Sequence, residues 1–314
     1  MAESPGPLLR AAREAAGITL RTMAARTHYN AGYLSLIENG ERPVPAGVAD
    51  AYQRVLGTTD LGRLVTVTRS AASVDAATLD QVATMLGALR RIEDTTGVLS
   101  VLPAVRGMSA TVDQLAREAS APVRERALHL AAEVTQYRGW LEHAVGADTA
   151  ARRSMAAAVE LAGEVGEPNR MAHALTFAAT VTWSATGVLG ETIDLSDGAL
   201  SVRGAHPTLR AYAALRRSEL LASLGETTEA RDVLNMADDA IEDARDAEPP
   251  PSSLYWFTPG FGAVQRGAVL TLLGDTAQAI EEATAGLAEM PPEHRRTEWL
   301  ASTLRKIDPD MTDA

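Results

Sequence analysis

The sequence predicts an all-α chain, with four short helices at the N-terminus followed by a series of longer helical hairpins. Three observations carry that expectation. Of the 314 residues 46% are hydrophobic but only 4% aromatic. A core must then be built mainly from Ala, Leu and Val, and Ala and Leu are strong helix formers, whereas strands draw on β-branched and aromatic side chains. Apolar residues recur at i, i+3, i+4 and i+7, the helical period. A Gly–Gly–Ala spacing also returns along the second half at intervals that suit paired helices.

The N-terminal elements follow from their punctuation. "LLRAAREAAG" ends at Gly17, a natural residue to close a helix. Thr19 caps a second helix whose inward positions are Leu20, Met23, Ala24 and Thr27. His28 and Tyr29 make the turn. Asn30 caps a third helix running to about Asn39 and closed by Gly40, and Pro43 and Pro45 precede a fourth, about Ala46 to Leu56. "GTTDLGRL" reads as a connector. From about Ala76, "AATLDQVATMLGALRRIEDTTG" and "ATVDQLAREA" read as helices flanking the less regular "VLSVLPAVRGMS".

Beyond these a repeat emerges. Gly139, Gly146 and Ala151 are spaced seven and five apart, and so are Gly267, Gly274 and Ala279. The same frame fits Gly190, and Gly225 with Ala230. The expected turn glycines 146, 190, 225 and 274 are 44, 35 and 49 residues apart. A hairpin of about 34 residues with loop insertions accounts for all three gaps; the last holds the insertion "DAEPPPSSLYWFTPG".

Composition narrows the function. There is no Cys, which removes disulfides and thiolate metal sites. The opening "MAESPGPLLRAAREAAG" has no basic n-region and no apolar h-region, so no signal peptide is expected. No apolar run reaches the roughly 18 residues of a membrane span. A cytoplasmic protein is expected. The net charge is −12, and residues 1–60 carry six Arg against six Asp and Glu, so the acidic excess lies wholly beyond them. An acidic body repels nucleic acid at long range, which confines any DNA contact to the N-terminus.

Catalysis is not expected. The six His, at 28, 129, 143, 173, 206 and 294, show no HxxxH pair and no metal-ligand spacing. "GFGAVQRG" lacks a preceding strand, and no phosphate loop or nucleophile elbow is present. "DDAIEDARDAE" lacks the Gly and the spacing of a calcium loop. No cofactor and no metal site are predicted.

Residues 8–57 resemble the Cro/C1-type (XRE) helix-turn-helix DNA-binding domain. The resemblance rests on "AAREAAGITLRTMAARTHYNAGYLSLIENGERP": the Gly17 stop, Ala24 inside the second helix, Leu34 and Ile37 facing the core, and the "IENG" close. It implies a DNA-binding regulator. It also implies that Arg13 pairs with Glu38 and so serves the fold, not DNA. At the family's base-reading positions stand Ala31, Gly32 and Leu36, which offer only close approach and apolar touch. Tyr33, Ser35 and Asn39 are the hydrogen-bonding readers left. Between Arg26 and Arg42 there is no Lys or Arg. Phosphate grip is therefore expected from helix N-termini, from Thr19 and Asn30, and from Arg21, Arg26 and Arg42. One such copy should bind feebly, so a homodimer on a pseudo-palindromic double-stranded operator is expected.

The repeats resemble tetratricopeptide repeats, best in "VLTLLGDTAQAIEEATAGLAEMPPE", with Gly267 at the small helix-A position and Ala279 and Ala283 in helix B. Trp183 and Ser218 replace that glycine in two degenerate copies, and Trp183 reads as a packing residue. The resemblance implies an N-terminal domain of four to five helices, then a right-handed superhelix of degenerate hairpins. Expected boundaries are 1–60, a helical linker and dimerisation segment at 61–121, and a sensor domain at 122–314. The arrangement resembles actinobacterial regulators of development and secondary metabolism. It implies a small-molecule or peptide effector on the concave face, at Glu133, Gln136, Trp140 and His143, then Phe177, Thr180 and Ser184, then Tyr212, Leu215 and Glu219, then Phe261 and Val264. The aromatics among them equally suit gap-filling, and "SSLYWFTP" suits either a lid or a plug. That face shows no Arg cluster, so an apolar or mildly basic ligand is expected over a carboxylate. The alternative is a protein-interaction scaffold or anti-regulator with a vestigial helix-turn-helix.

Overall fold

A computed structural model describes residues 6–56 and 75–313. Among the described residues every regular element is helical, as the Ala- and Leu-rich composition requires. The chain divides into two compact units, residues 1–165 and 166–314.

The first unit opens with α1 (Gly6–Ala15), α2 (Leu20–Thr27), α3 (Ala31–Glu38) and α4 (Ala46–Leu56). Gly17, at φ +65°, ends α1, its amide donating to the Glu14 carbonyl at 2.8 Å. Thr19 and Asn30 cap α2 and α3. Leu9, Met23, Leu34, Ile37, Val48 and Tyr52 are buried at the centre. Gly6 is backed against the end of α3, and an added Cβ there would run into the Ile37 carbonyl. The expected connector "GTTDLGRL" (57–64) lies outside the described residues.

Among the described residues four longer helices follow in this unit: α5 (Ala76–Thr96), α6 (Val98–Glu118), α7 (Ala121–Ala144) and α8 (Asp148–Val165). One apolar cluster runs without a break from Leu8 of α1 to Leu141 of α7. Helix α1 packs on α6, where Gly107 faces Pro7. The stretch read as less regular, "VLSVLPAVRGMS", is helical throughout and belongs to α6, with Pro103 inside it. The reason is placement. Pro103 lacks an amide for the Leu99 carbonyl, but both residues lie on the exposed side, Leu99 by 78%, while the opposite face stays buried. Gly139 of α7 lies against Met155 and Ser154 of α8, the close approach its position in the repeat demands.

The second unit is a run of hairpins. Helices α9 (Pro168–Thr186) and α10 (Leu189–Ser201), α11 (Pro207–Ser223) and α12 (Thr227–Arg245), and α13 (Pro259–Leu272) and α14 (Thr276–Glu289) pair in turn. Helices α9, α11 and α13 neighbour one another, and α15 (Glu298–Ile307) packs on α13. Small residues set the spacing within a hairpin. A Cβ on Gly267 would lie 2.8 Å from the Ala279 carbonyl. Ser218, fully buried, fills the same position in α11 and donates to the Ala230 carbonyl at 2.6 Å. One turn differs from expectation: Gly187, at φ +64°, closes α9, and Gly190 lies inside α10. Only a residue that tolerates left-handed backbone suits the turn itself, and Gly187 holds it.

The insertion after α12 folds inward. Leu254 and Phe257 are buried, and the Trp256 ring meets Phe177, Tyr212 and Phe261 edge-on at 6.0, 5.0 and 5.8 Å. Such T-shaped pairs place a ring's positive edge over a neighbour's negative face. Of the two readings of "SSLYWFTP", this is the plug.

Candidate nucleic-acid interface

Helix α3 presents its outer face because Leu34 and Ile37 are buried while Gly32 and Asn39 are exposed and Ala31, Tyr33, Ser35 and Leu36 half-buried. The orientation is fixed from below. Arg13 Nε and Nη2 donate to the two oxygens of Glu38, and Tyr52 Oη donates to Glu38 Oε1, each at 2.7 Å. All three side chains are buried, so Arg13 ties α1 to α3 as the resemblance implies.

Thr19, Arg21, Arg26, Asn30 and Arg42 are all exposed. The Arg42 guanidinium sits over the Tyr33 ring, 5.8 Å from its centroid, and the Tyr29 and Tyr33 rings are 6.0 Å apart. Asn39 Nδ2 donates to Glu41 Oε1 at 3.4 Å. No basic side chain projects from α3 itself.

The helix N-termini are less open than the sequence reading supposed. Asn30 Oδ1 accepts from the Gly32 and Tyr33 amides at 2.8 and 3.3 Å, and Thr19 Oγ1 accepts from the Thr22 amide at 3.2 Å. Capping side chains thus occupy part of each helix N-terminus. Among the described residues the Ala31, Leu20 and Arg21 amides make no backbone or cap hydrogen bond, which leaves one open amide on α3 and two on α2 within that set.

Residues 6–91 match the family model of a helix-turn-helix domain. The N-terminal helices are a helix-turn-helix domain. The match runs through α4 into α5, the helix that shares its core, and such a domain supports a DNA-binding regulator. No curated protein and no solved structure matches the chain.

The residues expected to hold an effector fall into three settings. In the first unit Gln136 is buried and Glu133 pairs with Arg90 at 2.6 Å. Trp140 and His143 are half-buried, with ring centroids 6.1 Å apart. In the second unit Phe177, Tyr212 and Phe261 are buried in the aromatic plug, and Leu215 and Val264 are buried too. Thr180, Ser184 and Glu219 instead line a cavity of about 630 Å³ between α9, α10 and α11, reached also by Leu272 and Lys306.

Sequence reasoning named Glu219 but missed the two cations of that cavity. Arg216 and Lys306 both line it, and both grip Glu219. Burial opposes the charge on Glu219, yet the two cations hold its carboxyl below the usual range. Trp183, read as a packing residue, is half-buried and lines the cavity. One signal was present: Arg216 and Glu219 are three apart, the spacing of helical neighbours. Lys306 gave none beyond being the chain's single Lys.

Proposed function

We propose that the protein is a dimeric transcriptional regulator that reads a pseudo-palindromic double-stranded DNA operator through α3. Its second unit, a set of tetratricopeptide-like hairpins, senses a small molecule or peptide. The observation that carries the reading is the capped, outward-facing α3, locked to α1 by buried Arg13–Glu38 within a matched helix-turn-helix domain. Arg21, Arg26 and Arg42 position the protein on phosphates. Ala31, Gly32, Tyr33, Ser35, Leu36 and Asn39 face the bases. With so few direct readers, specificity comes largely from DNA shape and half-site spacing, and two copies double the phosphate contacts. The protein acts in the cytoplasm without a cofactor and is not an enzyme. In an actinobacterial setting the genes served are those of development or secondary metabolism.

Gel shifts on the protein's own promoter region test this. Sequence-selective binding, weakened by Arg42→Ala and accompanied by a dimer-sized complex in ultracentrifugation, supports it. A second reading, a protein-interaction scaffold with a vestigial helix-turn-helix, draws on the uncharged α3 face and the −12 net charge. It predicts no shift with any upstream DNA.

A further inference from the structure

We infer that the cavity of the second unit binds a small monoanion, an oxyanion such as a carboxylate carried on an apolar body, seated on Arg216 and Lys306. The inference deepens the sensor reading above and rests on it for its biological meaning.

Three features of the cavity point to this ligand class. Its volume, about 630 Å³, is that of a small-molecule site. Among the described residues its charged lining is Arg216, Glu219 and Lys306, two cations sharing one anion, so one positive charge is left uncompensated. The sharing is specific. Arg216 Nη1 donates to Glu219 Oε2, and Lys306 Nζ donates to Glu219 Oε1 at 2.7 Å. Arg216 Nε reaches Thr180 Oγ1 at 3.4 Å. The Arg216 Nη2 amine makes no hydrogen bond within the described residues. An entering oxyanion completes that guanidinium and balances the charge, whereas an entering amine would have to evict Lys306 from a carboxylate whose two oxygens are both engaged.

The remaining wall fits an apolar body. Trp183 offers an aromatic surface, Ala179, Ala213 and Leu220 line the wall, and Leu272 lines it while 46% exposed. Buried charges are retained at a cost when hydrophobic residues of like volume would serve. Arg216 and Glu219 are only 20% and 13% exposed at the side chain, a placement that a ligand-orienting role explains. Lys306 is 48% exposed and comes from α15, so it stands at the mouth.

Two fluorescent probes that share rings and differ in charge test the claim on the full chain. Anilinonaphthalene sulfonate carries the anion, and phenylnaphthylamine is the same body without it. The sulfonate should bind about tenfold more tightly, the worth of one charge-assisted contact. Arg216→Met and Lys306→Met should each erase that preference while leaving phenylnaphthylamine affinity unchanged. Glu219→Gln, which removes the internal competitor, should tighten the sulfonate. Equal binding of both probes, or a preference that survives Arg216→Met, overturns the claim.

A readout without substitution guards against misfolded variants. Reductive methylation with isotope-labelled formaldehyde marks Lys306, the chain's only Lys, and the terminal amine. The Lys306 methyl resonance of the unmutated chain should move as the sulfonate is added; a resonance that stays fixed at saturation overturns the claim. Failure here is distinct from failure of the sensor reading. Charge-selective filling of the cavity that leaves operator affinity unaltered keeps the ligand class and removes the sensor. Equal binding of the probes beside an operator affinity that an uncharged compound alters does the reverse.

Discussion

Arg13 and Glu38, twenty-five positions apart in sequence, meet as a two-bond fork of 2.7 Å each, sealed from solvent. The fork fixes the angle at which α3 leaves the core. Arg13→Ala strands a buried carboxylate and should cost about 3–5 kcal/mol in urea unfolding. Tyr52→Phe removes one donor to that charged carboxylate, and about 1.5–3 kcal/mol should be lost. A smaller loss for Arg13→Ala than for Tyr52→Phe would mean the fork does not hold α3.

Arg42 rests on the Tyr33 ring at the edge of α3. As a phosphate contact it should act alike on every DNA sequence. Arg42→Ala should weaken specific and non-specific binding in parallel and reduce the salt slope by about one contact per subunit. Fluorescence anisotropy over a salt series measures this. A loss confined to one operator sequence would mark Arg42 as a base reader.

Two glycines of the repeat frame should respond oppositely to alanine. At Gly267 the new Cβ would press on the Ala279 carbonyl at 2.8 Å, and overpacking of this kind costs about 1–3 kcal/mol. At Gly190, inside α10 with no neighbour within 4 Å, Gly190→Ala should stabilise by about 0.5–1 kcal/mol. Thermal melts of both variants decide it.

Glu93 of α5 is buried beneath α7 and accepts from Tyr137 Oη at 2.8 Å. Burial, aided by Asp94, pushes its carboxyl up to about 7, against the opposing pull of Tyr137, Arg90 and Trp140. A raised carboxyl favours the fold while protonated. Its contribution is full below the ordinary value of 4.5 and is lost as pH rises towards 7. Glu93→Gln, which keeps an acceptor for Tyr137, should flatten the fall in stability across that window and stabilise the protein at pH above it. Denaturant midpoints at a series of pH values give the comparison.

The helix-turn-helix was legible because its punctuation is local. Gly17, Thr19 and Asn30 each act within a few residues, and each does what its type predicts. Long-range pairing was legible at Arg13–Glu38 only through resemblance. The stretch around Pro103 read as less regular because the exposure that lets a proline sit on the outer side of a long helix is not written in the sequence. Gly190 misled because a fixed spacing cannot tell a turn glycine from one three residues later, at the second position of the next helix. The cavity escaped for a related reason: Lys306 reaches Glu219 across 87 positions, and no periodicity announces such a meeting.

The unbroken apolar cluster from Leu8 to Leu141 has a mechanical consequence. The helix-turn-helix pair is not a pendant on a tether but one corner of a block that extends through α7. Turning α3 by a few degrees means turning that whole block, so small rotations at its far end are carried to α3 through α7, α6 and α1. A fragment cut after α4 would also lose the wall that α1 leans on, and should clump where the full chain stays dispersed.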